Sequence, residues 1–218
     1  MSKYDTINYL IEKCIVAVVR ADTGGDDLVQ VVKAIAAGGV HSIEVTMTTP
    51  GALECIATAS KQLKGADALL GVGTVLDSET CRLAILAGAQ FVVTPTVSIP
   101  VIQTARRYGV PVIAGGFTPT EILAAWENGS DLVKVFPSSV GGPDYIKALK
   151  GPLPQIPLVP TGGVDVDTVA AFLHAGASAL GAGGNLASKK LIQARDFEGI
   201  QKNARAYADA VKVARSAM

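Results

Sequence analysis

Residues 88–137 read GAQFVVTPTVSIPVIQTARRYGVPVIAGGFTPTEILAAWENGSDLVKVFP, and they contain three short apolar runs separated by two segments of helical composition. The runs QFVVTP, VPVIAG and DLVKVFP are nearly free of alternation between polar and apolar residues, which is typical of strands buried on both faces. Gly109 and Gly129 precede the second and third runs, at the points where the intervening helices must end. Apolar strands that alternate with helices predict a parallel sheet covered by helices.

The same unit recurs along the rest of the chain. Glycines follow helix-like segments at intervals of 20 to 27 residues, and each precedes a strand-like run within a few residues. We expect each glycine to adopt the left-handed conformation that ends a helix, which glycine reaches at least cost. The glycines are Gly38, Gly65, Gly88, Gly109, Gly129, Gly151 and Gly176, and the eight runs are CIVAVVR, VHSIEVT, ALLGVGTV, QFVVTP, VPVIAG, DLVKVFP, IPLVPTG and SALGAGG.

Eight strand–helix units in one chain favour a closed (β/α)8 TIM barrel, with an open doubly wound sheet as the structural alternative. A helix over Tyr4–Lys13 is predicted before the first strand, and a helix over Phe197–Ala217 after the eighth. The predicted fold is therefore a single α/β domain over residues 1–218 with an extra N-terminal helix. At 218 residues the chain is near the short end for this fold, so we expect no large inserted domain.

Composition narrows the functional setting. The 19 Lys and Arg residues balance 19 Asp and Glu residues, so no basic field predicts binding to nucleic acid or to a membrane surface. No apolar segment reaches the roughly 18 residues of a membrane span, and the first residues lack the apolar core of a signal peptide. Cys14, Cys55 and Cys81 are odd in number and far apart, which is typical of reduced thiols rather than of disulfides or a zinc site. We expect a cytoplasmic protein.

The barrel gives a common location to polar residues that are far apart in sequence, because active sites of this fold lie at the carboxyl ends of the strands. One arginine, one glutamate, one lysine and several threonines occupy those ends, although barrel interiors are filled mainly by branched apolar side chains. The strand ends carry Arg20, Glu44, Thr74, Thr94 with Pro95, Gly115, Lys134, Thr161, and Gly183 with Gly184.

Lys134 is the most informative of these residues, because it lies in the middle of an apolar strand run where an unpaired ammonium is costly. Loss of solvation favours the neutral amine, which can attack a ketone and form a Schiff base. The alternative is a structural ion pair with Glu44. A carboxylate at that position can instead move protons for the Schiff-base chemistry. Burial raises and a neighbouring cation lowers the pKa of such a carboxyl group, and the sequence leaves that balance open.

Two glycine pairs predict a phosphate site. PTGGVDVDTV places Thr161, Gly162 and Gly163 at the end of the seventh strand with a helix opening just after, and GAGGNL places Gly183 and Gly184 at the end of the eighth. Backbone N–H groups at helix N-termini bind phosphate, and barrels often place that site after these two strands. Glycines also serve tight turns, which is the alternative interpretation.

The stretches IEVTMTTP, GVGTVLD, AGAQFVVTPTV, LVKVFPSS and PTGGV, in this order and spacing, resemble the 2-keto-3-deoxy-6-phosphogluconate aldolases. That family includes the sibling aldolases for 6-phosphogalactonate and for 4-hydroxy-2-oxoglutarate. The resemblance extends from about Ile15 to Leu186, and its most specific part is KVFPSS. It implies a class I aldolase on a (β/α)8 barrel, usually a homotrimer, that needs no metal; we expect no cofactor.

The resemblance also implies roles for particular residues. Lys134 forms the Schiff base, Glu44 is the acid and base, and Thr74 helps to hold the pyruvyl carboxylate. The reaction implied is cleavage of a phosphorylated 2-keto-3-deoxy sugar acid to pyruvate and glyceraldehyde 3-phosphate. The remaining residues predicted to bind substrate are Thr161, Gly162, Gly163, Gly183 and Gly184 around the phosphate, with Pro95, Gly115, Phe136 and Asn185 lining the site.

Two positions depart from the phosphogluconate branch of the family. Thr48 stands where that branch has an arginine that binds the carboxylate, and Asn185 stands where it tends to have serine. The galactonate branch also lacks this arginine. A hydroxyl does not replace a bidentate guanidinium at full strength, so Arg20 is the predicted substitute cation, with an ion pair at the barrel rim as the alternative.

The same residues also suit three alternative functions. One is a 4-hydroxy-2-oxoglutarate aldolase. Another is a phosphate-binding barrel enzyme, such as an isomerase or synthase, that uses Glu44 and Lys134 for proton transfer without a covalent intermediate. A third is a barrel that binds a phosphorylated ligand and catalyses nothing.

Overall fold

Eight short strands form one parallel sheet in the computed structural model, which describes residues 1–217. The strands are β1 (Ile15–Val19), β2 (Ser42–Thr46), β3 (Leu69–Gly73), β4 (Val92–Val93), β5 (Val112–Gly116), β6 (Leu132–Val135), β7 (Leu158–Pro160) and β8 (Leu180–Ala182). Their order is β7-β6-β5-β4-β3-β2-β1-β8. A parallel bridge between Thr161 and Gly181 brings the two ends of this order together, so the sheet forms a nearly closed barrel and the predicted (β/α)8 fold is confirmed.

A helix follows every strand, and one further helix precedes the first. The helices are α1 (Lys3–Lys13), α2 (Gly25–Ala37), α3 (Ala52–Gln62), α4 (Ser78–Ala87), α5 (Ile99–Arg107), α6 (Pro119–Glu127), α7 (Gly142–Lys150), α8 (Val169–His174), α9 (Lys189–Gln193) and α10 (Phe197–Ser216), with a 3₁₀ turn at Ser138–Val140 between β6 and α7. The first and last helices match their predicted bounds to within one residue.

Helix α1 begins with a capping box and closes the amino-terminal end of the barrel. The Asp5 backbone N–H donates to Ser2 Oγ at 3.2 Å, and the Ser2 backbone N–H donates to Asp5 Oδ2 at 3.0 Å. Leu10 of this helix is fully buried and packs with the apolar residues that fill the barrel interior, which are Val16, Leu69, Phe91, Val93, Ile113, Leu132, Val159 and Ala179. One end of the barrel is therefore a packed core, and the other end is left for polar residues.

Side chains on each strand alternate between the barrel interior and the layer of helices. On β2, Ile43 and Val45 belong to the apolar core that the helices cover. Ser42, Glu44 and Thr46 have the opposite parity and lie on the interior side, where Ser42 pairs in register with Val16 of β1. This alternation is what places a glutamate inside the barrel.

Five of the seven glycines predicted to end helices in the left-handed conformation do so, with φ between +68° and +108°. Gly38 does not, since its φ is −74° and the left-handed residue is the next one, Gly39. A Cβ at Gly38 would lie 2.5 Å from the Gln201 backbone oxygen of α10, so this glycine allows two helices to pack closely. Gly151 is also right-handed, because the chain makes a further helical turn past it, with the Leu153 N–H donating to the Leu149 carbonyl.

Helix α10 packs against α2 and α8 through one apolar face. The residues of that face are spaced three or four apart, as helical periodicity requires: Ile200, Ala204, Tyr207, Val211 and Ala214. No helix within residues 1–217 combines the length and the apolar character needed to cross a membrane.

Candidate active site

Three strands bring polar side chains to the open end of the barrel. Glu44 of β2 and Lys134 of β6 line one narrow cleft in the barrel interior, and Thr161, at the end of β7, lines it with them. The other walls of the cleft are apolar or glycine: Val16, Val18, Val93, Ile113, Val159 and Gly181. The structure therefore brings the predicted lysine and glutamate together in a largely apolar environment.

The Lys134 side chain is almost fully enclosed, with 8% of the residue exposed. Its Nζ lies 5.2 Å from the centroid of the Phe136 ring, a distance at which a cation is attracted to the aromatic face. Among residues 1–217, no hydrogen bond and no ion pair within 4.0 Å joins Lys134 to Glu44. The alternative of a direct structural ion pair is therefore not observed, and the amine faces the cleft.

Glu44 is buried, with 1% of the residue exposed, and its Oε1 has no hydrogen-bond partner within the described part of the chain. Burial raises the pKa of this carboxyl group above its ordinary value, while the positive charges of Lys134 and Arg20 act in the opposite direction. The net direction is upward. A carboxyl group with a raised pKa holds a proton more readily, which suits a group that must both accept and donate one.

Gly73 makes room for this carboxylate, a role that the sequence did not indicate. A Cβ at position 73 would lie 2.7 Å from Glu44 Oε1, closer than real side chains approach. Gly181 does the same for the side chain of Thr161, its bridge partner on the neighbouring strand. Both glycines occupy β-strands with φ outside the left-handed region, so their function is to leave space.

The pKa direction of Glu44 predicts a pH-dependent stability. The pKa of Glu44 in the folded state lies above its unfolded value of about 4.5. The stability that the Glu44 proton contributes is therefore fully present below the unfolded pKa and is lost as the pH rises through the folded pKa. Glu44→Gln has no proton to lose. The melting temperature of the variant should therefore rise relative to wild type as the pH increases from about 4.5, and then level off. A difference in melting temperature between Glu44→Gln and wild type that stays constant from about pH 4 to 8 would contradict a buried carboxyl group with a raised pKa. The exposed Glu54→Gln variant is the control.

The predicted carboxylate-binding residues lie at different places around the mouth. Thr74 has φ of +57°, and its Oγ1 accepts a hydrogen bond of 3.4 Å from Arg20 Nη2. Thr48 is exposed and contacts Thr46 Oγ1 at 3.1 Å, but it does not line the cleft that holds Glu44. Thr46 is fully buried on the interior side of β2 and was not among the residues predicted to bind substrate.

Arg20 lies between two parts of the site. Besides its bond to Thr74, it lines a pocket with Gly183, Gly184 and Lys189. Lys189 is held by an ion pair of 2.8 Å to Asp22. Arg20 is exposed and is not among the described ion pairs of residues 1–217, so the alternative of an ion pair at the barrel rim is not observed.

The two glycine pairs form one pocket, although no helix opens directly after the first pair as the sequence suggested. Gly162 and Gly163 have φ of +90° and +74°, a backbone conformation that residues with a Cβ rarely adopt. Helix α8 begins only at Val169, and turn residues lie between it and the glycines. The pocket is lined by Val18, Phe136, Thr161, Gly162, Gly163, Val164, Gly181, Gly183, Gly184 and Asn185.

The remaining predicted residues line a further pocket at the mouth of the barrel. Pro95, Gly115 and Phe136 share a pocket with Phe117. Gly115 packs so closely on Pro95 that a Cβ there would collide with the proline backbone. Within residues 1–217, no group of three or more His, Cys, Asp and Glu side chains is placed to hold a metal ion.

Fold and site together define a class of protein. A (β/α)8 barrel with a buried lysine and a buried carboxyl group in one cleft, beside a glycine-lined pocket, has the parts of a lyase that uses a Schiff base. A family model described as KDPG and KHG aldolase matches residues 6–203. KDPG is 2-keto-3-deoxy-6-phosphogluconate, also written with 2-dehydro for 2-keto, and KHG is 4-hydroxy-2-oxoglutarate.

Individual relatives give the same result. The chain is 38% identical over 174 residues to a 2-dehydro-3-deoxy-phosphogluconate aldolase of Treponema pallidum (strain Nichols), which covers 79% of this chain and 81% of the relative. It is 36% identical over 173 residues to the 2-dehydro-3-deoxy-6-phosphogalactonate aldolase of Escherichia coli (strain K12), covering 79% of this chain and 83% of that one.

A solved structure adds chemistry to the comparison. The KDPG aldolase of Legionella pneumophila, crystallised with pyruvate captured as a covalent carbinolamine intermediate, has a TM-score of 0.83 and 25% identity, covering 91% of this chain and 96% of that one. The chain belongs to the KDPG and KHG aldolase family, whose relatives are named as aldolases and so are carbon–carbon lyases. The resemblance inferred from the sequence motifs is confirmed.

Proposed function

We propose that this aldolase forms its Schiff base at Lys134 and cleaves a 2-keto-3-deoxy-6-phospho sugar acid, of phosphogluconate or phosphogalactonate type, to pyruvate and glyceraldehyde 3-phosphate. The observation that carries the proposal is the enclosed Lys134 amine in one apolar cleft with the buried carboxyl group of Glu44. The activities for which the relatives are named support the substrate class, and the carbinolamine in the Legionella enzyme supports the covalent route.

The reaction begins with the amine. Neutral Lys134 Nζ attacks the C2 ketone of the substrate, and the carbinolamine that forms loses water to give an iminium ion. Glu44 supplies the proton that the departing hydroxyl group needs.

Carbon–carbon cleavage then follows the pull of the iminium ion. The deprotonated Glu44 accepts the proton of the C4 hydroxyl group, the C3–C4 bond breaks, and its electron pair moves through C3 to the iminium nitrogen. Glyceraldehyde 3-phosphate leaves, and an enamine remains on Lys134. Glu44 returns its proton to C3. Water then hydrolyses the iminium ion to release pyruvate and the free amine, and the proton set free in this step returns to Glu44. One carboxyl group thus acts alternately as base and acid, which its raised pKa favours.

The glycine-lined pocket is the proposed phosphate site. Left-handed Gly162 and Gly163 present backbone N–H groups, and Gly183, Gly184 and Asn185 form the facing wall. A turn of backbone N–H groups binds anions without a helix N-terminus. Phe136 and Thr161 border both this pocket and the lysine, so one substrate can reach the two places at once.

Arg20 is the proposed cation for the substrate carboxylate, held by Thr74 and supported by the hydroxyl group of Thr48. We expect Arg20→Ala to raise the KM for 2-keto acids and to lower kcat/KM by about 10-fold, the lower end for a charge-assisted hydrogen bond because Arg20 is exposed. The measurement compares a phosphorylated substrate with 4-hydroxy-2-oxoglutarate, which has no phosphate. Equal losses support the carboxylate role. A loss confined to the phosphorylated acid assigns Arg20 to the phosphate, as its contact with the Gly183–Gly184 pocket would allow, and no loss on either removes it from the site.

Substrate choice tests the proposed function as a whole. Steady-state cleavage of the phosphogluconate acid, the phosphogalactonate acid and 4-hydroxy-2-oxoglutarate should give the highest kcat/KM with one of the two phosphorylated acids. Thr48, in place of arginine, favours the galactonate type. A preference for 4-hydroxy-2-oxoglutarate over both phosphorylated acids would replace the proposal with the alternative aldolase activity.

The proposed assembly is a cytoplasmic homotrimer. Leu76, Leu83 and Leu86 are more than half exposed on α4 and the loop before it, an apolar surface of the kind that subunit contacts cover. Light scattering should give about 67 kDa, three times the 22.3 kDa of one chain. A mass of one chain at micromolar concentration would rule out the trimer.

A further inference from the structure

Helix α10 makes a hydrogen bond to each of the two glycine loops. The Tyr207 hydroxyl donates to the Val164 carbonyl at 3.2 Å. The Asn203 side-chain amide donates to the carbonyls of Asn185 and Leu186 at 3.4 and 3.3 Å. Because Asn203 and Tyr207 are four residues apart, they project from the same face of the helix one turn from each other.

One acceptor of these hydrogen bonds immediately follows each glycine pair. Val164 comes directly after Gly162–Gly163, and Asn185 comes directly after Gly183–Gly184. Glycine restricts its backbone less than any other residue, and neither pair continues directly into a helix that would hold it. The conformation of the loops therefore depends on contacts from outside them.

Helix α10 can supply such support because its own position is fixed. Its apolar face is buried against α2 and α8, and the close contact at Gly38 leaves no space for the helix to shift toward α2. Tyr207 is 1% exposed and is the largest fully buried side chain of the described chain. Asn203 is half-buried at the edge of the same face.

We propose that Asn203 and Tyr207 are positioning residues for the phosphate site: each fixes one glycine loop, and together they set the preference for phosphorylated over unphosphorylated substrates. Neither side chain lines the pocket, so each acts through the backbone carbonyl that it holds. The proposal rests on the proposed function, since it assigns the glycine loops to a substrate phosphate.

The test uses Tyr207→Phe and Asn203→Leu, which keep the approximate shape of each side chain and remove its donor. Lys202→Met, on the exposed side of the same helix, is the control. Tyr207→Phe and Asn203→Leu should each raise the KM for the phosphorylated acid about 3- to 10-fold, the range for loss of one neutral hydrogen bond, with kcat nearly unchanged. The inhibition constant of inorganic phosphate should rise by the same factor. The KM for 4-hydroxy-2-oxoglutarate should stay within about 2-fold of wild type.

Equal changes in KM on both substrates, or no change on either, would overturn the proposal, because a merely structural role affects the whole barrel. If Tyr207→Phe fails to fold, Asn203→Leu carries the test alone, since that side chain is only half-buried. Wild-type measurements separate the two levels of inference. Failure of inorganic phosphate to compete in wild type would refute the phosphate site itself, whereas competition in wild type with unchanged variants would refute only the roles of Asn203 and Tyr207.

Discussion

Lys134→Met is expected to lower aldol cleavage by about 10⁵-fold or more, the scale on which enzymes lose activity when the covalent nucleophile is removed. Methionine fills the cleft with a similar length of chain but has no amine to attack the C2 ketone. The fold should be retained, because Lys134 makes no ion pair within the described residues and its neighbours in the cleft are mostly apolar. Steady-state kinetics with pyruvate detection measures the loss.

Lys147→Met is the matched control, because Lys147 is exposed on α7 and does not line the cleft. Its activity should equal that of wild type. If folded Lys134→Met retained more than about one hundredth of the wild-type cleavage activity, the reaction would not require this amine.

Glu44→Gln is expected to lower turnover by about 10²-fold or more, the usual contribution of a positioned acid or base. The amide keeps the shape of the side chain above Gly73 but exchanges no proton. Both the dehydration of the carbinolamine and the proton return to C3 should slow. Exchange of the pyruvate methyl protons with solvent, followed by NMR, isolates the second of these steps.

The exchange measurement decides the role of Glu44. Exchange that slows in proportion to turnover assigns the proton at C3 to this carboxyl group. Exchange at the wild-type rate would assign it to another group, and Thr161, which shares the cleft, would be the next residue to replace. The exposed Glu54→Gln variant should behave as wild type in both assays.

Much of the fold could be predicted from local chemistry. The apolar runs and the glycines between them report on helix ends and buried strands, which depend on nearby residues. The prediction was wrong at Gly38, where glycine is needed because a helix more than 160 residues later packs against it. It was also wrong at Gly151, where the handedness depends on how the chain continues beyond the helix. Local sequence carries neither kind of information.

The candidate site was predictable to the extent that strand ends share one face of a barrel. Glu44 and Lys134 are 90 residues apart, yet strand parity and the parallel order bring both into one cleft. The sequence could not indicate Gly73, because its role depends on the direction in which the Glu44 side chain leans across the neighbouring strand. The sequence could not indicate Asn203 and Tyr207 for a similar reason: the carbonyl groups that accept their hydrogen bonds belong to loops far away in the chain.

Trapping with borohydride in the presence of pyruvate tests the central claim most directly, since it reports the covalent intermediate itself and the residue that carries it. Reduction of the iminium ion should attach a pyruvate-derived group to the protein, and peptide mass spectrometry should find the added mass on Lys134. Lys134→Met should remain unlabelled under the same conditions, and Lys147→Met should be labelled as wild type. A label on Lys147 or Lys150, or no label in an active wild-type enzyme, would contradict the account.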